Sequence, residues 1–168
     1  VIHRLNFYQP DELEQIIQNA AIKLHVEIDQ KSLQALAVRS RGTPRIALKL
    51  LKRVRDFSQV HGEGKITLPL TNQALAMLEV DVLGLDTMDT RYLDAIIKKH
   101  NGGPVGLQTI ASTISEDIGT LEDMVEPYLL QIGFLQRTPR GRVATKYAYE
   151  HLGIVYPLDT NNEQQKLV

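Results

Sequence analysis

Two arginine clusters, far apart in the chain, carry the chemistry this sequence has to offer. In Arg41-Gly42-Thr43-Pro44-Arg45, Thr43 suits a helix N-cap and Pro44 suits the first helical position, which needs no N–H donor. Arg45 then falls in the first turn, beside backbone N–H groups without intrahelical partners. A phosphate group there would meet donors and a guanidinium together. The same five residues also fit a solvated arginine on a capped helix. In Arg137-Thr138-Pro139-Arg140-Gly141-Arg142, a tight turn at Pro139 to Gly141 puts three arginines at a hairpin tip, and Lys146 extends the positive stretch. Gly141 would let a backbone approach, and the arginines could lie along phosphates, which gives affinity and orientation without reading sequence. The alternative is a charged turn that guards a sheet edge.

Other chemistry is scarce. With no Cys, the sequence excludes disulfides, thiolate metal sites and catalytic thiols, and it fits a reducing compartment. The five His, at 3, 25, 61, 100 and 151, never lie three to five residues apart, so no short-range metal spacing exists. No Gly-x-x-x-x-Gly-Lys-Ser/Thr string occurs, so a complete nucleotide-hydrolysing site is not expected within these residues. Tyr8, in Asn6-Phe7-Tyr8, could stack on a base or pack in a core. No apolar run long enough to span a membrane and no signal pattern at the start are found, so a cytoplasmic chain is expected.

The net charge of -1 conceals a segregation. Residues 31 to 65 hold nine Lys and Arg against Asp56 and Glu63, and residues 134 to 147 hold four bases and no acid. Acids concentrate at 79 to 97 and at 115 to 127 instead. Local potential rather than net charge sets attraction for a polyanion, so a phosphate-rich partner is compatible with the balanced total.

The elements that would position these residues are mainly helical. Asp11, Glu12 and Glu14 follow Pro10 where a helix dipole favours acids, and Leu13, Ile16, Ile17, Ala20 and Leu24 recur at helical spacing. Asp29 caps a second helix, and a third runs from Pro44 with Ile46, Leu50, Val54 and Phe57 as its apolar stripe. Arg45, Lys49, Lys52 and Arg53 lie on another face of it. Thr71 is expected to cap a short fourth helix. Residues 80 to 86 read as a linker packed by its own Val and Leu. A helix is then predicted over 89 to 100, stopped by Asn101-Gly102-Gly103-Pro104, a second over 107 to 114, and a third with Thr120 as N-cap and Asp123 completing a capping box. A strand, tight turn and strand follow Phe134.

Helix, helix, turn, helix and hairpin is the order of a winged helix. Pro127 falls inside the third helix, which must kink or restart there. Glu122, Asp123 and Glu126 make its start acidic, unlike a helix that reads base edges in a major groove, so any nucleic-acid binding is expected to be backbone-directed.

Six strings in order now identify a resemblance. Arg4-Leu-Asn-Phe-Tyr8, Arg41-Gly-Thr-Pro-Arg-Ile-Ala47, Arg53-Val-Arg-Asp-Phe57, Gly102-Gly-Pro-Val-Gly-Leu107, Glu126-Pro-Tyr-Leu129 and Gly133-Phe-Leu-Gln-Arg-Thr-Pro-Arg-Gly-Arg142 closely resemble the RuvB family, the bacterial motors of Holliday-junction branch migration. The likeness covers roughly residues 1 to 157. It implies an AAA+ helical lid over 1–79, a linker at 80–86, a winged-helix DNA-binding domain over 87–157 with a two-stranded β wing, and a flexible tail at 158–168. It also implies ATP as cofactor, with Mg held by an AAA+ core expected upstream of Val1, and hence no ATP hydrolysis by these residues alone.

Carried over to this sequence, the resemblance implies that Arg45 is the sensor-2 arginine reaching the terminal phosphates of ATP, and that Tyr8 lines the adenine pocket. It implies that Arg137 and Arg142 contact DNA, with Arg140 between them; Lys146 is added on charge alone. Implied partners are DNA, as a four-way junction or duplex arms, together with RuvA, RuvC-type proteins and further copies in a hexamer. The expected mechanism is a lever in which bound nucleotide pulls on Arg45, the lid rotates near Tyr8, and the winged helix moves with it. Two other readings remain: a replication initiator of the origin-recognition type, and a winged-helix transcription regulator.

Overall fold

Each helix of the first unit begins where the sequence supplies a start signal. The computed structural model describes residues 7–157, so the motif residues before Phe7 and the tail expected at 158–168 lie outside the described residues. Helix α1 (Pro10–Lys23) opens on a proline, and the Glu12 carboxylate accepts the Gln9 N–H at 2.8 Å. Helix α2 (Gln30–Arg39) is capped by Asp29, whose Oδ1 accepts the Ser32 N–H at 2.7 Å. Helix α3 (Pro44–His61) begins at the expected proline. Thr43 stands at its N-cap, yet its hydroxyl turns back to donate to the Arg41 carbonyl at 3.3 Å rather than capping the helix.

Helix α4 (Leu68–Met77) corrects the sequence reading. Thr71 does not cap it but lies inside it, buried, because Pro69 starts the helix earlier and the Leu68 N–H is taken by Asp29 Oδ2 at 3.1 Å. One carboxylate thus serves the starts of two helices. Leu13, Ile17, Leu36, Leu51, Val54, Ile66 and Leu75, drawn from all four helices and one bridge strand, form a single aliphatic core. In α3 the buried stripe is Ala47, Leu50, Leu51, Val54 and Ser58, at helical spacing, while Ile46 and Phe57 are only partly covered.

Residues 80–86 pack in part through their own side chains, with Leu85 buried and Val80 partly buried against the core of the first unit. Asp81 Oδ1 accepts the N–H groups of Leu83 and Leu85, at 2.8 and 2.9 Å, Arg39 Nε donates to the Asp81 carbonyl at 3.0 Å, and Val82 is exposed. The described residues divide into two compact units between Thr87 and Met88.

The second unit starts with α5 (Thr87–Asp94), which continues through a π-helical turn at Ala95–Lys99 and stops at the predicted Asn-Gly-Gly-Pro. Helix α6 (Leu107–Ile114) has the predicted limits. The third helix does not begin at Thr120. Its N-cap is Asp117, whose Oδ2 accepts the Thr120 N–H at 2.9 Å, so Thr120 is the end of α7 (Ile118–Thr120). A π-helical turn at Leu121–Val125 follows, then α8 (Glu126–Gln131). The wide turn resolves Pro127: the Glu126 N–H reaches back five residues to the Leu121 carbonyl, and the helix restarts with the proline in its first positions, where no donor is needed. Strands β1 (Leu135–Thr138) and β2 (Gly141–Ala144) pair antiparallel around a two-residue turn, and α9 (Lys146–His151) is the last helix among the described residues.

Candidate functional site

The start of α3 and the segment before α1 meet. Tyr8 donates its N–H to the Gly42 carbonyl at 2.9 Å, and a Cβ at Gly42, where φ is +68°, would lie 2.7 Å from Phe7 Cβ. Tyr8 and the Arg41 to Arg45 string, 33 residues apart from Tyr8 to Arg41 in sequence, therefore share one end of the first unit. Tyr8 is 45% exposed, so it is not a core residue. Arg45 is exposed and has no hydrogen-bond or ion-pair partner among the described residues. It opens a groove of about 530 Å³ along α3, lined also by Leu48, Lys49, Lys52, Arg53 and the Arg55–Asp56 ion pair. Asp56 is the sole acid on that lining, and Arg55 occupies it through a 2.6 Å contact, which leaves the groove cationic.

The wing is built differently from a row of free arginines at a tip. In the ladder, Arg137 lies directly opposite Arg142, so both side chains leave the same face of the hairpin. Beneath them is the fully buried carboxylate of Glu126. Arg137 donates to Glu126 Oε2 through Nε at 3.0 Å and through Nη2, and Arg142 donates through Nε to Oε1 at 2.8 Å and through Nη2 to Oε2 at 3.3 Å. The Tyr92 hydroxyl on α5 donates to Oε1. Burial would push the Glu126 carboxyl up, but hydrogen bonds from Arg142, Tyr92 and Arg137 outweigh it and hold the carboxyl below the usual carboxylate range. Burial, then the hydrogen bond to Glu126 and its charge, push the Tyr92 hydroxyl far up, so it remains a donor.

Of the three arginines only Arg140 lies in the turn; it is exposed and has no partner among the described residues. Lys146 stands on α9, not on the hairpin, in an exposed 3.5 Å pair with Glu150. The close approach that Gly141 allows is to the chain itself. Its φ is +134°, and a Cβ there would lie 2.5 Å from the Val105 carbonyl oxygen, where residues 105 and 142 exchange backbone hydrogen bonds of 3.0 and 2.7 Å. Among the described residues no cluster of His and acids could hold a metal ion, and no helix is long and apolar enough to cross a membrane.

Both arginine strings fall in segments with known counterparts. Residues 8–81 match the RuvB AAA lid domain, and residues 82–153 match the RuvB C-terminal winged helix domain. The chain belongs to the RuvB family. It is 55% identical, over 163 residues, to the Holliday junction branch migration complex subunit RuvB of Dehalococcoides mccartyi (strain CBDB1), covering 97% of this chain and 47% of that protein. Among solved structures it is similar to the Thermotoga maritima RuvB Holliday junction branch migration motor, with a TM-score of 0.88 at 45% identity over 91% of this chain and 51% of the other. A mutant of the same Thermotoga maritima RuvB gives a TM-score of 0.90 at 44% identity, over 94% of this chain and 52% of the other. The chain thus spans about half the length of the RuvB relatives it matches.

Sequence reasoning placed the arginines but missed Glu126 and Tyr92. Glu126 was counted with Glu122 and Asp123 as an acid facing outward from the third helix, whereas only the latter two are exposed. The available signal was its phase: Glu126 falls one residue after buried Val125 and three before buried Leu129, on the inward side of the helix. A buried acid there calls for cationic partners, and the nearest bases downstream are Arg137, Arg140 and Arg142, two of which the structure brings to it.

Proposed function

We propose that this chain is the part of a hexameric RuvB motor that couples nucleotide state to DNA movement during branch migration of Holliday junctions in recombination and repair. The observation that carries the reading is the separation of two cationic sites onto the two matched segments, one at the start of α3 beside Tyr8 and one on the wing. Arg45 acts as the sensor-2 group on the terminal phosphates of ATP, and Tyr8, exposed beside it, lines the adenine. The residues present fit that ligand: an unpartnered guanidinium and an accessible aromatic ring at one end of a helical bundle. ATP supplies the free energy of phosphoryl transfer, with Mg held by the AAA+ core of the motor. The α3 residues sense the nucleotide, and these 168 residues alone do not turn it over. The lid spans 1–79, joins through 80–86, and moves the winged helix over 87–157. RuvA and RuvC-type proteins are the partners of the assembled motor.

On the wing, Arg137, Arg140 and Arg142, with Lys146 nearby, meet the DNA backbone. Exposed Glu122 and Asp123 support backbone-directed rather than base-directed binding, and this favours the motor over a sequence-reading initiator or regulator. Four phosphate contacts on duplex DNA give a slope of about -3.6 in log K against log salt. Titration of a labelled duplex or four-way oligonucleotide at several NaCl concentrations tests this. Arg140→Ala is expected to flatten the slope by about 0.9; a response to salt that is flat in the parent chain would remove the wing from the mechanism.

A further inference from the structure

The buried carboxylate under the wing has a consequence for how the arginines above it can meet phosphate. A guanidinium carries five N–H donors around a plane, grouped in two usable edges. Both Arg137 and Arg142 spend the Nε and Nη2 side on Glu126. In both, Nη1 has no partner among the described residues, and the side chains remain 44% and 20% exposed above a carboxylate that is 0% exposed. The backbone of Arg142 is fixed as well, by reciprocal hydrogen bonds with Val105. Two flexible side chains are thereby held in one orientation before any ligand arrives.

We propose that Glu126 is a positioning residue for DNA binding: it grips one edge of both Arg137 and Arg142 and leaves their other ends oriented as a preformed, two-armed phosphate clamp. The inference rests on the reading of the wing as a DNA-contacting surface. Its physical basis is preorganisation, since ordering a long side chain costs free energy on binding unless the fold has already ordered it. The sign of the effect separates positioning from charge. Glu126 is negative, so if it acted only through its field or only as packing, neutralising it would strengthen attraction for a polyanion or leave it unchanged. A positioning role predicts the reverse.

The test measures the affinity of the 168-residue chain for a fluorescein-labelled duplex and a four-way oligonucleotide over a NaCl series, beside thermal melting of each variant. Glu126→Gln is expected to bind about tenfold more weakly at low salt despite the added net positive charge, as for loss of one charge-assisted contact. Its salt slope is expected to be shallower by about 0.9, the share of one phosphate. Glu126→Asp keeps the charge and withdraws the carboxylate from the guanidinium edges, so it answers the question if the glutamine variant fails to fold; it is expected to bind about threefold more weakly. Unchanged or tighter binding by a folded Glu126→Gln or Glu126→Asp chain overturns the proposal. Arg137→Ala and Arg142→Ala are read alongside. If they weaken binding while the Glu126 variants do not, positioning alone is wrong; if they too leave affinity unchanged, the wing reading fails with it.

Discussion

Asp29 shows how much one carboxylate can organise. Its two oxygens accept the Ser32 and Leu68 N–H groups, at the first turns of α2 and α4, at 2.7 and 3.1 Å. Burial would raise its pKa, but these hydrogen bonds, with a contribution from Lys31, hold it below the usual carboxylate range. A carboxyl depressed on folding stabilises the native state above its unfolded pKa, and that stability disappears as pH falls through the folded value. Asp29→Ala is therefore expected to destabilise the first unit by about 1–2 kcal/mol at neutral pH, as for loss of an N-cap. The deficit relative to the parent should shrink as pH falls through the folded value. Urea unfolding followed by circular dichroism at pH 7 and pH 3 checks both the size and the sign. Glu126 follows the same logic from a deeper site, where its carboxylate is compensated by two arginines rather than by helix ends.

At the scale of elements, the wing depends on glycines that let strands approach. Gly141 begins β2 at φ +134°, and a Cβ would press on the Val105 carbonyl at 2.5 Å. Gly103, at φ +94°, would bring a Cβ within 2.3 Å of the Arg142 carbonyl. Neither contact can be relieved by moving a side-chain tip, because backbone atoms are on both sides. Gly141→Ala is expected to cost about 2 kcal/mol or more and to break the 105–142 bridge. Loss of amide protection at Val105 and Arg142 in hydrogen exchange, with the α1 to α4 core retained, would report it. The third helix shows a second device at this scale. A five-residue π-helical turn ahead of Pro127 keeps the backbone donors satisfied, and so Glu126 reaches the wing without a broken helix.

For the whole molecule, a net charge of -1 says little, since the cations gather on α3 and on the wing. The motor reading makes one demand at this scale: a change at α3 must alter work done elsewhere. In the intact motor, Arg45→Ala is expected to abolish ATP-driven branch migration. The lid should melt as before, because Arg45 is exposed and has no partner among the described residues to lose. Strand-exchange assays with synthetic junctions, run beside ATP turnover and thermal melting, test this. Unchanged turnover would break the link between Arg45 and nucleotide.

Local signals were legible without coordinates because they act within a few residues. Pro44 at a helix start, the Asn101 to Pro104 stop, the limits of α6 and the hairpin turn each follow from backbone chemistry that neighbours alone impose. The family resemblance was legible for the same reason, as runs of adjacent residues. Tertiary structure decided what required distant segments to meet: that Asp29 serves α4 as well as α2, that Gly141 admits Val105, and that Arg137 and Arg142 converge on Glu126. Charge patterns along a chain do not specify which opposite charge is buried beneath them. Only the hairpin ladder, laid across the restarted helix, brings those three side chains within hydrogen-bonding distance.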